Sequence, residues 1–171
     1  MNELRVEPQG VIDRPSRTAA IDGVRLHRFA PFVDHRGSLT ELIDVRKPFW
    51  EEPVVYAYRI TVGRGRIKGW GMHRRQADRY VILDGLLRVA LYDGREGSPS
   101  FQSLEVHHFG TGVPGGLRIP PGVWHGVQNL GETEASVLNF PTVAFDRDDP
   151  DKARIDPHGG EIPFDWSPPD F

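Results

Sequence analysis

Short runs of alternating apolar residues, each closed by glycine or proline, most limit how this chain can fold. The stretch 67–85, IKGWGMHRRQADRYVILDG, opens with glycines, presents His73 and stops at Asp84-Gly85. Alternate positions are apolar on both sides of this Asp-Gly pair, over 80–82 and 87–91. An Asp-Gly pair between two such runs predicts a two-residue β-hairpin. We therefore expect His73 on a strand just before this hairpin, with its side chain fixed to one face.

A second histidine lies further along the chain in a similar setting. The stretch 119–129, IPPGVWHGVQN, joins a Pro-Pro-Gly turn to a short apolar run. This order predicts that the turn leads His125 onto another strand. Two histidines that each follow a glycine or proline turn in a β-rich chain favour a pair converging inside a small barrel.

The remaining patterns predict an all-β fold, an antiparallel β-barrel or jelly roll. No run of helical period exceeds about a dozen residues, while further β-prone runs occupy 24–29, 38–42, 53–62, 101–109 and 135–140. No internal repeat or linker divides the chain, and 171 residues suit one domain with its own core.

Within this single domain, 1–171, we expect three parts. Residues 1–20 are polar and form an N-terminal arm, and residues 24–140 form the barrel. From residue 141 the composition shifts to charge and proline, which predicts a C-terminal tail (141–171) packed on the barrel through Phe164 and Trp166. A short helix is expected at 150–153.

Composition excludes several functions. The net charge of −3 lacks the basic footprint that nucleic-acid binding usually leaves. The chain has no cysteine, so disulfides, thiolate metal ligands and a cysteine nucleophile are ruled out. No apolar run approaches the roughly 18 residues of a membrane span, and the N-terminus lacks a signal-peptide core. The sequence predicts a cytoplasmic protein without a membrane or nucleic-acid partner.

Two charged loops have alternative interpretations. The loop 63–69 carries Arg64, Arg66 and Lys68, and is either a solvated loop or an anion cradle beside His73. On spacing alone, the turn around Arg36 is better explained as a solvated turn.

The histidine spacings resemble the cupin family. PPGVWHGVQN matches the second cupin motif well, whereas the first motif is half present because Gly71 stands where its first histidine belongs. Two histidines and a carboxylate can hold a divalent metal, so His73, Asp78 and His125 form a conceivable three-ligand site. With one ligand missing, we expect no metal, and a salt bridge from Asp78 to a neighbouring arginine is the simpler interpretation.

A more specific resemblance extends from about residue 24 to 166. Four stretches, in order, resemble the dTDP-4-dehydrorhamnose 3,5-epimerase family: FVDHRGSLTEL, GMHRRQADRYVILDGLLRVALYDGREGSPSF, IPPGVWHGVQNL and IDPHGGEIPFDW. The family consists of metal-free, cupin-fold dimers acting on nucleotide-linked 4-keto-6-deoxy sugars. The resemblance implies a cupin-type barrel, a homodimer, no cofactor and a nucleotide-sugar substrate, with dTDP as the expected nucleotide.

The resemblance also implies roles for particular residues. A C–H beside a ketone can be removed by a well-placed neutral histidine, leaving an enolate that is reprotonated on the opposite face. His73 is the implied base, and Asp156 or His125 orients it. Arg79, with Lys68 near, is the implied cation for the enolate. The implied substrate-binding residues are Arg36 and Glu41 across the dimer interface, Arg59, Arg64 and Arg66 at the diphosphate, and Lys68 and Tyr80.

One departure concerns the family's proton-donating tyrosine. Its best match here is Phe145, which cannot donate a proton. Another group (Tyr80, Tyr58 or water) then supplies the proton, or the reaction differs from double epimerisation. We predict an epimerase or isomerase that abstracts a proton next to the ketone. The alternatives are a non-catalytic sugar-nucleotide-binding cupin and a metal-dependent cupin enzyme.

Overall fold

The computed structural model describes residues 21–167, and these are almost entirely β-structure. One 3-10 turn, Pro48–Trp50, lies between the third and fourth strands. The strands in chain order are β1 (Arg25–Arg28), β2 (Phe32–Asp34), β3 (Gly37–Leu39), β4 (Tyr58–Val62), β5 (Ile67–Met72), β6 (Asp78–Ile82), β7 (Leu86–Asp93), β8 (Leu104–Gly110), β9 (Gly115–Ile119), β10 (Val123–Asn129), β11 (Ala135–Asn139) and β12 (Ala153–Arg154). The predicted N-terminal arm, 1–20, lies outside the described residues.

Two five-stranded antiparallel sheets form the domain. The first has the order β1-β9-β6-β11-β4, and the second has the order β12-β5-β10-β7-β8. Apolar side chains from both sheets join one buried cluster, for example Ile82 and Val137 from the first sheet with Val89 and Val127 from the second. The sheets therefore pack against one another, and the predicted all-β antiparallel fold is confirmed.

The predicted hairpin at Asp84-Gly85 is wrong. β6 pairs with β9 and β11, whereas β7 pairs with β10 and β8, so this turn carries the chain from one sheet to the other. Gly85 has a φ of 90°, and a Cβ there would lie 2.4 Å from the Cβ of Ala135. The Asp-Gly signal located the turn correctly, but the strands on both sides are buried in different sheets.

The predicted helix at 150–153 is also wrong. Ala153 and Arg154 instead form β12 on the edge of β5, where they pair with Met72 and Gly71. The ladder extends through two backbone hydrogen bonds between Ile155 and Trp70, of 3.1 and 3.2 Å. Pairing with an open sheet edge satisfies more of this segment's backbone than a single helical turn would.

Close contact between β5 and β10 brings the two histidines together. A Cβ on Gly69 would lie 2.8 Å from the Cα of Gly126, so glycine is required where the strands approach. This pairing sets His125 opposite Gly71, and His73 follows two residues later, just beyond the end of β5. The predicted placement of His125 on a strand is confirmed, while His73 lies in the loop after its strand.

The C-terminal segment packs against the second sheet, whereas the β2–β3 hairpin pairs with neither five-stranded sheet. Ile162 and Trp166 of the C-terminal segment pack with Trp70 of β5 in a buried cluster. The turn predicted around Arg36 is confirmed: His35 and Arg36 form the turn of the β2–β3 hairpin. Within residues 21–167, no helix has the length and apolar character needed to cross a membrane.

Candidate active site

A cavity of about 370 Å³ lies where the two histidine strands meet. Both sheets contribute to its wall, together with the segment that contains β12. Its lining residues are Tyr58, Ile60, Ile67, Lys68, Gly69, Trp70, Gly71, His73, Asp78, Tyr80, His125, Val127, Lys152 and Arg154.

Two imidazoles and one carboxylate converge in this cavity. The Oδ2 atom of Asp78 lies 3.5 Å from the Nε2 atom of His73 and 3.3 Å from the Nε2 atom of His125. The two imidazole rings stack with their centroids 5.8 Å apart. All three side chains are largely buried. We call these three residues the His-Asp-His cluster.

Backbone carbonyls fix the orientation of both imidazoles. The Nδ1 atom of His73 hydrogen-bonds the carbonyl of Asp151, and that of His125 lies 3.1 Å from the carbonyl of Val123. Because a carbonyl can only accept, each Nδ1 carries the proton and donates. Both Nε2 atoms therefore face the carboxylate of Asp78, and in a neutral imidazole each would present a lone pair to it.

The carboxylate is held asymmetrically. Oδ1 of Asp78 accepts hydrogen bonds of 2.9 Å from the side-chain amides of Gln76 and Asn139. Oδ2, the atom that faces both histidines, is buried and has no hydrogen-bond partner among the described residues. A cation between Oδ2 and an imidazole, either a proton or a metal ion, would satisfy it.

The environment lowers the pKa of both partners. Burial alone would raise the pKa of Asp78, but the interactions with His125 and His73, together with the hydrogen bond from Asn139, outweigh burial and lower it to about 2. Burial lowers the pKa of His73 below its usual range, and the charge of Asp78 opposes that effect only in part. At neutral pH the cluster therefore combines an ionised Asp78 with a neutral His73 that can accept a proton.

The same cluster has the composition of a metal site. One ligand atom from each of its three residues lies within 4.8 Å of the other two. Two imidazole nitrogens and one carboxylate oxygen suit a divalent transition ion, and the carbonyl-bound Nδ1 atoms would support them. The first cupin motif has a histidine where this chain has Gly71. A Cβ at position 71 would lie 3.8 Å from Nε2 of His125, so a histidine side chain there would point into this cavity.

The structure places two of the four predicted catalytic residues, His73 and His125, in the cavity. Arg79 lies elsewhere, because alternation along β6 points Asp78 and Tyr80 into the cavity and Arg79 away from it. Its guanidinium donates to the carbonyls of Phe140, Glu52 and Pro53 at 2.7–2.9 Å. Asp156 is exposed, and its carboxylate accepts a hydrogen bond from the backbone of His158.

Among the predicted substrate-binding residues, Lys68 and Tyr80 line the cavity. The others do not. Arg59 and Arg64 pair with Glu134 and Glu132 in the loop between β10 and β11. Arg66 lies in the turn before β5, whereas Arg36 and Glu41 are exposed beside the β2–β3 hairpin.

The sequence interpretation missed Lys152 and Arg154, which line the cavity beside β5. Burial lowers the pKa of Lys152, and the nearby charge of Arg154 lowers it further. The alternation of these two cations in the run DKAR was the available signal, but the segment was interpreted as helical. Asp78 was interpreted as a conceivable metal ligand or, more simply, as the salt-bridge partner of a neighbouring arginine, whereas its carboxylate faces both histidines.

Comparison with known proteins agrees with this architecture. No family model matches the chain. The spore coat polysaccharide biosynthesis protein SpsL of Bacillus subtilis is 32% identical over 86% of this chain and 97% of its own length. The probable low-salt glycan biosynthesis epimerase Agl13 of Haloferax volcanii is 33% identical over 79% of this chain and 87% of its own.

Solved structures share the fold. A dTDP sugar isomerase from Desulfovibrio desulfuricans G20 superposes with a TM-score of 0.81 at 27% identity, over 89% of this chain and 96% of that one. The dTDP-4-dehydrorhamnose 3,5-epimerase from Bacillus anthracis has the same fold, with a TM-score of 0.74 at 19% identity over 85% of each chain. That from Elizabethkingia anophelis has a TM-score of 0.73 at 18% identity, over 87% of this chain and 84% of that one. Fold, cavity and relatives define an enzyme of the sugar-epimerase class. The chain belongs to the dTDP-4-dehydrorhamnose 3,5-epimerase family, as a divergent member.

Proposed function

We propose that the protein is an epimerase or isomerase of a nucleotide-linked 4-keto-6-deoxy sugar, with a dTDP sugar as the expected substrate. The observation that carries the proposal is the His-Asp-His cluster, because it holds a neutral imidazole at the wall of a cavity. The Agl13 relative is named an epimerase and a similar solved structure a dTDP sugar isomerase, which supports the same reaction class.

In this mechanism His73 is the base that removes the proton next to the ketone. Its Nδ1–H remains on the Asp151 carbonyl, so the free Nε2 atom accepts the proton. Once His73 is an imidazolium, its attraction to Oδ2 of Asp78, 3.5 Å away, stabilises the charge that has formed. His125, fixed by Val123, is a positioning residue that holds the carboxylate between the two rings.

Cations at the cavity wall suit the charges of the substrate and of the enolate. Lys68, Lys152 and Arg154 all line the cavity, whereas Arg79 is occupied with backbone carbonyls. We assign Lys152 to the enolate oxygen, since it lines the cavity beside β5 and its ammonium group can stabilise the charge that forms on that oxygen. Lys68 and Arg154 would bind the diphosphate.

We further propose a homodimer in which the β2–β3 hairpin reaches the neighbouring subunit. Phe32, Val33 and Leu39 of this hairpin are each more than 60% exposed. Such apolar exposure on a ribbon outside both sheets is typical of a surface that a partner covers. Arg36 and Glu41 would thereby approach the nucleotide of the other subunit. Sedimentation should give a dimer at micromolar concentration, and a stable monomer would contradict this assignment.

The test of the function is hydrogen exchange in D₂O. We expect the protein to incorporate solvent deuterium next to the ketone of at least one member of a panel of nucleotide-linked 4-keto-6-deoxy sugars, observed by NMR. A panel that includes the dTDP sugars and shows binding without exchange would favour the non-catalytic sugar-nucleotide-binding alternative.

A further inference from the structure

Epimerisation needs a proton donor on the face of the enolate opposite the base. Phe145, at the position where the family resemblance places its tyrosine, has no hydroxyl. Its side chain is also 58% exposed and is absent from the cavity wall. The residue that supplies the proton must therefore be sought on another element.

Tyr58 faces the same cavity from the opposite sheet. It begins β4 in the first sheet, whereas His73 follows β5 in the second. Both side chains line the cavity. A planar enolate lying between the sheets would present one face to His73 and the other to Tyr58.

The hydroxyl of Tyr58 is oriented by Asn139. The side-chain oxygen of Asn139 accepts a 3.1 Å hydrogen bond from the backbone N–H of Arg79, which fixes the way its amide points. The amide nitrogen then donates to the Tyr58 hydroxyl oxygen at 2.8 Å and to Oδ1 of Asp78 at 2.9 Å. Since this contact uses the hydroxyl oxygen as acceptor, the hydroxyl's own hydrogen is free to point elsewhere. Among the described residues, no other hydrogen-bond partner of this hydroxyl is found.

We propose that Tyr58 is the proton donor that inverts the sugar carbon, an inference that rests on the proposed function. His73 takes the proton from one face, and the electron pair moves into the enolate. The Tyr58 O–H bond then breaks, its proton joins carbon on the other face, and the tyrosinate oxygen remains hydrogen-bonded to Asn139. Solvent returns a proton to Tyr58, and His73 releases its own, so the cycle consumes no co-reactant.

The electrostatic environment suits this role. Burial, aided by the charge of Asp78, raises the pKa of Tyr58 to about 12, so the hydroxyl carries its proton throughout the neutral range. Tyr80 lines the cavity too, but it packs edge-on against His125, and no hydrogen bond orients its hydroxyl in the described part of the chain. Tyr58 therefore offers the oriented hydroxyl that proton donation requires.

The experiment separates proton removal from inversion. In D₂O, Tyr58→Phe should lower the rate of inverted product roughly 10²-fold, while exchange at the same carbon stays within a few-fold of wild type, because His73 returns a deuteron to the original face. Tyr56→Phe, on the neighbouring exposed tyrosine, is the matched control and should change neither rate. Thermal unfolding of each variant confirms that it is folded.

Several results would overturn the assignment. If Tyr58→Phe inverts the sugar carbon at the wild-type rate, Tyr58 is not the proton donor, although the proposed function still stands. Loss of inversion in Tyr80→Phe alone would lead to the same conclusion. Failure of the wild-type protein to exchange hydrogen with any sugar of the panel would instead overturn the proposed function and this inference with it.

Discussion

Two buried aspartates in this molecule are held in opposite ways. Asp93, at the end of β7, has both oxygens saturated: its carboxylate accepts hydrogen bonds of 2.6–3.0 Å from Arg95, Ser98 and Ser100. Asp78 has one saturated oxygen and one that faces two histidines without a hydrogen bond. A carboxylate whose two oxygens both accept hydrogen bonds stabilises a turn. A carboxylate with one oxygen left without a hydrogen bond can still stabilise a positive charge that appears during a reaction.

Between the two aspartates, the larger effect on the reaction should follow from removing the charge at Asp78. Asp78→Asn keeps the shape of the side chain but leaves the imidazolium of His73 without its counter-charge. We expect the rate of deuterium exchange to fall roughly 10²-fold or more. Asp93→Asn is the matched control and should leave the rate per folded molecule unchanged. Equal losses in the two variants would contradict the distinction between the two carboxylates.

Asp93→Asn should instead lower stability. Its charged oxygens accept from Arg95 and two serines, and hydrogen bonds to a buried charge contribute more than neutral ones. We expect the free energy of unfolding to fall by about 2–3 kcal/mol, which lowers the melting temperature by roughly 5–10 °C. A melting temperature within about one degree of wild type would show that this turn is not pinned by Asp93.

The two aspartates also show which contacts can be predicted from sequence patterns. Asp93 belongs to Asp-x-Arg followed by Ser-Pro-Ser, a local motif whose partners lie within seven residues, and local spacing is visible in a sequence. Asp78 meets Asn139 through the pairing of β6 with β11 and meets His125 through the packing of the two sheets, so no spacing could reveal its role. The histidine pair itself was predictable, because each histidine follows a glycine or proline turn beside a strand.

Errors in the sequence interpretation have the same origin. The alternation of side chains along β6 could be predicted from the sequence. The direction in which Arg79 points could not, because it depends on which face of that strand meets the other sheet. The positions of Lys152 and Arg154 depend on β12 joining the edge of β5, which the proline-rich composition of the tail did not indicate. Local turns and strands were predictable, whereas the pairing across sheets was not.

A smaller effect concerns pH. Burial lowers the pKa of His73 below 6.5, and the base must be neutral to accept a proton. The exchange rate should therefore be full above this lowered pKa and fall only as the pH drops through it, giving an acidic limb with an apparent pKa below 6.5. An acidic limb centred above pH 7 in the exchange rate would contradict a buried, neutral His73.

The smallest effect is expected from removing metal. We predict that protein purified without added ions holds less than one equivalent of transition metal and that chelators leave the exchange rate unchanged, because Gly71 stands where the first cupin motif has a histidine ligand and the chain has no cysteine. Elemental analysis provides the test. Stoichiometric zinc, iron, nickel or manganese that is lost in His125→Ala would support the metal-dependent alternative.

The most direct test of the proposed mechanism is the exchange rate of His73→Ala. The rate at which this variant incorporates solvent deuterium into the 4-keto sugar should fall by roughly 10²–10⁴-fold, while its affinity for the nucleotide should stay unchanged. His158→Ala, which removes an exposed histidine outside the cavity, should exchange at the wild-type rate. If His73→Ala exchanges as fast as wild type, His73 is not the base and the proposed mechanism is wrong.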